Sequence, residues 1–155
     1  MNSLAVRIQQ EDFDTGAEIS RMRQARSDSG ALVAFVGQVR DLSAGATVST
    51  LTLEHYPGMT EKSLQAIVQK ALLRWDIHDA RVIHRIGELQ PNDQIVLVLV
   101  AGAHRGEAFA ACEFIMDCLK TEAPFWKKEQ TDAGERWVDA RVADEAARLR
   151  WMEKC

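Results

Sequence analysis

No stretch of this sequence is long and apolar enough to span a bilayer. The longest unbroken apolar run, Ile95 to Ala101, has seven residues, against the roughly 20 that a spanning helix needs. The opening residues, MNSLAVRIQQED, lack the basic start and extended apolar stretch of a signal peptide, so none is expected. Cysteine is scarce: Cys112, Cys118 and Cys155 form no C-x-x-C pair. That argues against a disulfide scaffold and suits a reducing, cytoplasmic setting. A basic excess is missing too, since 19 Lys and Arg against 23 Asp and Glu leave a net charge of −4. A generic nucleic-acid binder carries the opposite balance. There is no G-x-G-x-x-G or Walker signature, and the four scattered histidines show no metal-ligand spacing. Neither cofactor nor metal is expected.

What is present reads as one domain over residues 1–155, with 46% apolar and 27% charged residues and no repeat or linker. Leu4 to Gln9 alternates weakly as a first strand. Asp14 to Arg26 reads as a short helix with Asp12 and Asp14 as candidate caps. Ala31 to Val36, continuing to Arg40, reads as a strand buried on both faces. With Thr47 to His55 it suggests a hairpin closed by a long loop, Asp41 to Ala46. Thr60 can cap the next element, where Leu64, Ile67, Val68, Ala71, Leu72 and Trp75 recur at helical spacing. Arg81 to Ile86 alternates, and Gln94 to Ala101 is the most β-branched run, a central strand. A second amphipathic helix carries Phe109, Cys112, Ile115, Met116 and Leu119 and stops at Pro124. Trp126 to Gln130 and Glu135 to Val138 flank a turn as a small hairpin, and Asp144 to Glu153 reads as a helical tail. The pattern predicts an α+β fold: two layers, a largely antiparallel sheet with amphipathic helices, and a small β-hairpin subdomain.

Three places could carry chemistry. His104-Arg105 follows a buried strand and opens a helix, where free N–H groups and the macrodipole favour an anion and Arg105 adds a forked donor. The alternative is an ordinary strand-to-helix turn. Lys120 ends the same helix beside its apolar face. It is either a lysine offsetting the dipole or a partly desolvated amine whose pKa a neighbouring ammonium would depress. Lys127 and Lys128 follow the Pro124 break; on a strand, Lys127 and Glu129 share one face and Lys128 takes the other. Arg40 ends the apolar strand, as a ligand contact or as a surface arginine paired with an acid. Of His84 and Arg85, adjacent in one strand, one is expected to be buried and structural. Cys112 and Cys118 read as small hydrophobes, with a thiol enzyme as a lesser alternative. The tryptophans read as core or interface anchors.

Six segments, in order and spacing, resemble one family. They are Phe35-Val36-Gly37-Gln38-Val39-Arg40-Asp41, Leu53 to Met59 (LEHYPGM), His84 to Leu89 (HRIGEL), Ala103-His104-Arg105, Phe114 to Lys120 (FIMDCLK) and Ala123 to Glu129 (APFWKKE). The family is the large, catalytic subunit of molybdopterin synthase, and the resemblance spans roughly residues 30 to 141. It implies a hammerhead-like fold and a sulfurtransferase of molybdenum cofactor biosynthesis. Such an enzyme converts cyclic pyranopterin monophosphate to molybdopterin by installing the two dithiolene sulfurs. It implies a small ubiquitin-like carrier whose C-terminal Gly-Gly thiocarboxylate supplies the sulfur, and a homodimer of large subunits within a heterotetramer, in the cytoplasm. By position, Lys120 and Lys127 match the family's essential lysines. His104 and Arg105 match its pterin-phosphate contacts, with Gln38, Val39, Arg40, Lys128, Glu129 and Arg141 also lining the pocket. Two departures stand out: Gln38 replaces a lysine found in some members, and Gly102-Ala103 replaces a hydroxyl residue that often precedes the His-Arg pair. The competing class is a non-enzymatic oligomeric regulatory module holding an anionic metabolite between Arg40 and Arg105.

Overall fold

The structure, a computed structural model, describes residues 5–43, 45–138, 146–147 and 149–151. Arg141 and Cys155 therefore lie outside the described residues, as does part of the expected C-terminal helix. Two sheets organise the chain. The first has the strand order β1-β5-β7-β2, with β1 Val6–Gln9, β2 Ala31–Gln38, β5 Ile77–Arg85 and β7 Gln94–Gly102. Only the β1–β5 pair is parallel; β5–β7 and β2–β7 are antiparallel.

β7 shows why the sequence folds this way. Its residues alternate between faces: Val96, Val98 and Val100 join one apolar cluster, while Leu97, Leu99 and Ala101 join the other. The first face is covered by α2 (Met59–Arg74) and α3 (Arg105–Glu122), through Leu64, Ile67, Val68, Ala71, Ala108, Ala111 and Ile115. Trp75, Phe114 and Trp151 close that layer with edge-to-face contacts at 5.1–5.8 Å. The second face is covered by α1 (Thr15–Ala25), which packs Ile19 and Met22 and is capped by the Asp14 carboxylate on the Ala17 N–H. The expected class, α+β with helices on a largely antiparallel sheet, is what the chain adopts, and α1 adds a cover on the far side.

The second sheet runs β3-β4-β8-β9, with β6 also pairing to β4. These strands are β3 Leu42–Ser43, β4 Ala46–His55, β6 Gly87–Leu89, β8 Phe125–Thr131 and β9 Gly134–Val138. The expected β8–β9 hairpin is present, extended into a sheet by β4. Its core is Val39, Leu51, Leu53 and Leu89.

Three expectations need correction. Ala31–Gln38 and Ala46–His55 do not form a hairpin: β2 pairs with β7 in the first sheet, while β4 pairs in the second. The chain crosses between sheets at Val39 to Asp41, because β7 offers β2 a longer apolar ladder than β4 does. Nor is β2 buried on both faces; it is an edge strand with Ala34 and Phe35 exposed. Thr60 does not cap α2, whose N-cap is Gly58 at φ 84°, with the Glu61 carboxylate accepting from the Gly58 N–H.

Candidate functional site

Where the two sheets meet the C-terminal end of α3, the side chains leave a cleft of about 330 Å³. Its floor is apolar, from Val96, Met116, Leu119 and Phe125. Its rim comes from Gly37, Gln38, Val39 and Arg40 after β2, and from Leu42 and Ser43 of β3. The bulge between Gly37 and Gln38 bends β2 over the cleft. A methyl group at Gly37 would stand 2.8 Å from the Val96 side chain, so the close approach there requires glycine.

Polar groups converge on this apolar floor from three elements. α3 brings Lys120, β8 brings Lys127 and Glu129, and the end of β2 brings Arg40. Strand alternation puts Lys127 and Glu129 on the cleft face and turns Lys128 away. Its ammonium instead lies 3.9 Å from Glu135 and 5.6 Å from the Trp137 ring. Arg40 and Lys120 are both exposed and make no ion pair among the described residues. The expected alternative of a paired Arg40 therefore does not hold, and Lys120 keeps its contact with solvent at the mouth of the cleft. Among the described residues, Glu129 is the only carboxylate on the lining. It is buried and already engaged, because Arg136 of β9 donates to it through Nε at 3.1 Å and holds Nη2 3.0 Å away in an ion pair. The cleft is thus a cationic recess on a chain of net charge −4, suited to an anion.

One histidine completes the floor. His84 of β5 is buried, stacked on Phe125 with centroids 3.9 Å apart and 17° between planes. Burial in these apolar surroundings pushes its pKa down to about 3. The charges of Lys127, Lys120 and His55 push the same way, and the Arg85 carbonyl opposes them. The ring is therefore neutral at physiological pH.

His104 and Arg105 are elsewhere. They are exposed at the N-terminal end of α3. Fifteen residues at ~1.5 Å each put Arg105 roughly 22 Å along the helix axis from Lys120. Within one chain the structure brings together Gln38, Val39, Arg40, Lys120, Lys127 and Glu129, and leaves His104, Arg105 and Lys128 apart from them.

Neither helical thiol offers a nucleophile: Cys112 and Cys118 are buried in α3. Burial, with Glu113 adding to it, pushes the Cys112 thiol up to about 11. Among the described residues no group of three or more His, Cys, Asp or Glu is placed to hold a metal ion, and no helix is long and apolar enough to cross a membrane.

Residues 8–122 match the model of the MoaE protein family. The chain belongs to the MoaE family. A molybdopterin synthase catalytic subunit from Ralstonia nicotianae is 64% identical over 146 residues, covering 94% of this chain and 83% of the relative. The MoaE protein of Burkholderia ambifaria MC40-6 superposes with a TM-score of 0.82 at 55% identity, covering 96% of this chain and 97% of that one. A Helicobacter pylori chain at 20% identity shares the fold with a TM-score of 0.72, covering 88% of this chain and 92% of that one. It comes from a complex of subunits 1 and 2 of molybdopterin-converting factor. The MoaE relatives are catalytic subunits, so the chain is a member of an enzyme family of molybdopterin biosynthesis.

Two residues, Arg136 beside the cleft and His84 on its floor, are absent from the site expected from the sequence. Arg136 was legible in principle, because the β8–β9 turn sets Glu129 directly opposite it. The role of His84 at the cleft floor was not, because its partner Phe125 is 41 residues away on another sheet.

Proposed function

We propose that this chain is the sulfurtransferase subunit that converts cyclic pyranopterin monophosphate to molybdopterin. Sulfur would come from the thiocarboxylated Gly-Gly terminus of a small ubiquitin-like carrier, in the cytoplasm. The observation that carries this reading is the cleft itself. Arg40, Lys120 and Lys127 converge on an apolar floor whose sole carboxylate among the described residues, Glu129, is neutralised by Arg136. A slender anionic tail enters such a recess readily, since a glycine pair has no side chains to clash with Gly37 or Phe35. Its terminal charge then finds Lys120 and Lys127, the two catalytic groups of this proposal. Either amine polarises the thiocarboxylate or accepts its acyl carbon as the sulfur leaves for the pterin. Gln38, Val39, Arg40 and Glu129 line the substrate's place, with Arg141 as a further basic contact, while Lys128, turned to the other face of β8, takes no part within its own chain.

The pterin phosphate contacts, His104 and Arg105, are too far along α3 to serve the cleft of their own chain. In the homodimer of this proposal, a second copy supplies them across a two-fold axis, with one carrier on each outer side to complete a heterotetramer. Reconstitution with thiocarboxylated carrier and the cyclic precursor, assayed for dithiolene product, tests the reading. Lys120→Ala and Lys127→Ala should each abolish turnover or lower it by at least ~100-fold. Normal product formation by both variants would overturn it.

A further inference from the structure

Among the described residues, His84 is the one polar group of the cleft floor to which the reaction described above gives no task. Its ring is held in two ways. Nδ1 lies 2.7 Å from the Arg85 carbonyl oxygen, and the face stacks on Phe125. A carbonyl only accepts, so Nδ1 carries the proton, and the neutral ring keeps a lone pair on Nε2. No buried side-chain nitrogen or oxygen among the described residues lacks a partner. Nε2, which has none among the described residues, therefore opens on the cleft that His84 lines.

Lys127 is the cation placed to meet it. Phe125 and Lys127 lie two residues apart on the same face of β8, roughly 7 Å along the strand, and both line the cleft with His84. Of the charges acting on the imidazole, that of Lys127 acts most strongly. We propose that His84 is a positioning residue for Lys127: its Nε2 lone pair accepts a hydrogen bond from the lysine ammonium and holds it over the cleft floor while the thiocarboxylate reacts. An uncharged acceptor suits that task. A carboxylate in the same place would neutralise the lysine and repel the incoming tail, whereas the imidazole orients the ammonium and leaves its charge available.

This inference rests on the lysine reading above, and its test separates the two. Asparagine reproduces the Nδ1 donor of His84 and has nothing at Nε2; glutamine places an amide oxygen near Nε2 and gives up the Nδ1 bond. The holoenzyme, with thiocarboxylated carrier and cyclic precursor, is compared across His84→Asn, His84→Gln and Lys127→Ala. The expected result is that His84→Asn lowers kcat by about ten- to a hundredfold with the carrier KM little changed, while His84→Gln retains most of the turnover. Wild-type kcat in His84→Asn, or activity lost in His84→Gln and kept in His84→Asn, would show that only the Arg85 bond and packing matter. Either result overturns the proposal while Lys127→Ala remains inactive. If Lys127→Ala turns over normally, the lysine reading itself has failed. Should both His84 variants fold poorly, ¹⁵N NMR of the imidazole in the carrier-bound protein decides. The Nε2 resonance should move on Lys127→Ala, and an unmoved resonance counts against the contact.

Discussion

The Thr60 hydroxyl, fully buried at the start of α2, donates to the carbonyl of Pro124, 3.0 Å away and 64 residues later in the chain. The same oxygen accepts from the Tyr56 N–H at 2.9 Å. One side chain thus fastens the beginning of α2 to the segment that turns α3 into β8, immediately before Phe125 and Lys127. Thr60→Val keeps the shape and removes both bonds, stranding a buried donor and acceptor. It should destabilise the protein by about 2 kcal/mol, read as a lower denaturation midpoint with an unchanged m-value. Thr60→Ser should recover most of the loss.

Acid should weaken the fold before the carboxylates titrate. The pKa of His84 is held near 3 in the folded chain, against an ordinary value of 6.5. Between those values the unfolded chain binds a proton that the native chain refuses, so stability falls as pH drops through that window, by up to ~1.4 kcal/mol per pH unit for this group. Glu18, held below 4.5 by Arg21 and Arg7 against the cost of burial, adds its own loss only at lower pH. Chemical denaturation at pH 7.0, 6.0 and 5.0 should show the decline. His84→Gln should flatten it, and an equal slope in that variant would assign the effect to other groups.

A shared site makes a prediction that a self-contained one does not. In the proposed homodimer, Lys127→Ala should spoil the cleft of its own chain and Arg105→Ala the cleft of its partner. Co-refolding the two inactive proteins should therefore restore about a quarter of wild-type turnover, since half of the dimers are mixed and each has one intact cleft. Absence of recovery, with mixed dimers shown to form, would place Arg105 outside the reaction.

Alkylation offers a simple control on sulfur chemistry. With Cys112 and Cys118 buried and the Cys112 thiol pushed up to about 11, the native protein should resist iodoacetamide at pH 7.5 at both positions. Mass spectrometry after brief treatment checks this. Cys112→Ser and Cys118→Ser should retain turnover, because neither thiol lines the cleft.

Local chemistry made much of this fold legible in the sequence. α1 with its Asp14 cap, the helical repeat from Leu64 to Trp75, the β-branched centre of β7 and the stop at Pro124 all rest on interactions within a few residues. The alternation along β8 also sorted Lys127 and Glu129 from Lys128. What periodicity could not show was pairing. β2 and β4 are adjacent in sequence and each is strand-like, yet they join different sheets, because an apolar edge takes whichever partner buries it best. The cleft lies between those sheets, so its depth and the burial of His84 followed from topology that no local pattern encodes, whereas the distance of His104 and Arg105 from Lys120 is set by one helix, α3. The family resemblance supplied the site residues that spacing alone left open.

Arg136 also donates to the carbonyl of Ser43 at 2.7 Å, so the guanidinium that silences Glu129 pins the rim strand as well. The strength of the positive field inside the recess and the position of its rim strand thereby both depend on one side chain. Neither can drift alone: a replacement at 136 that loosened the doorway would at once return a negative charge to the interior and weaken its hold on an anion. Widening that doorway while keeping the interior cationic thus requires concerted change at 129 and 136.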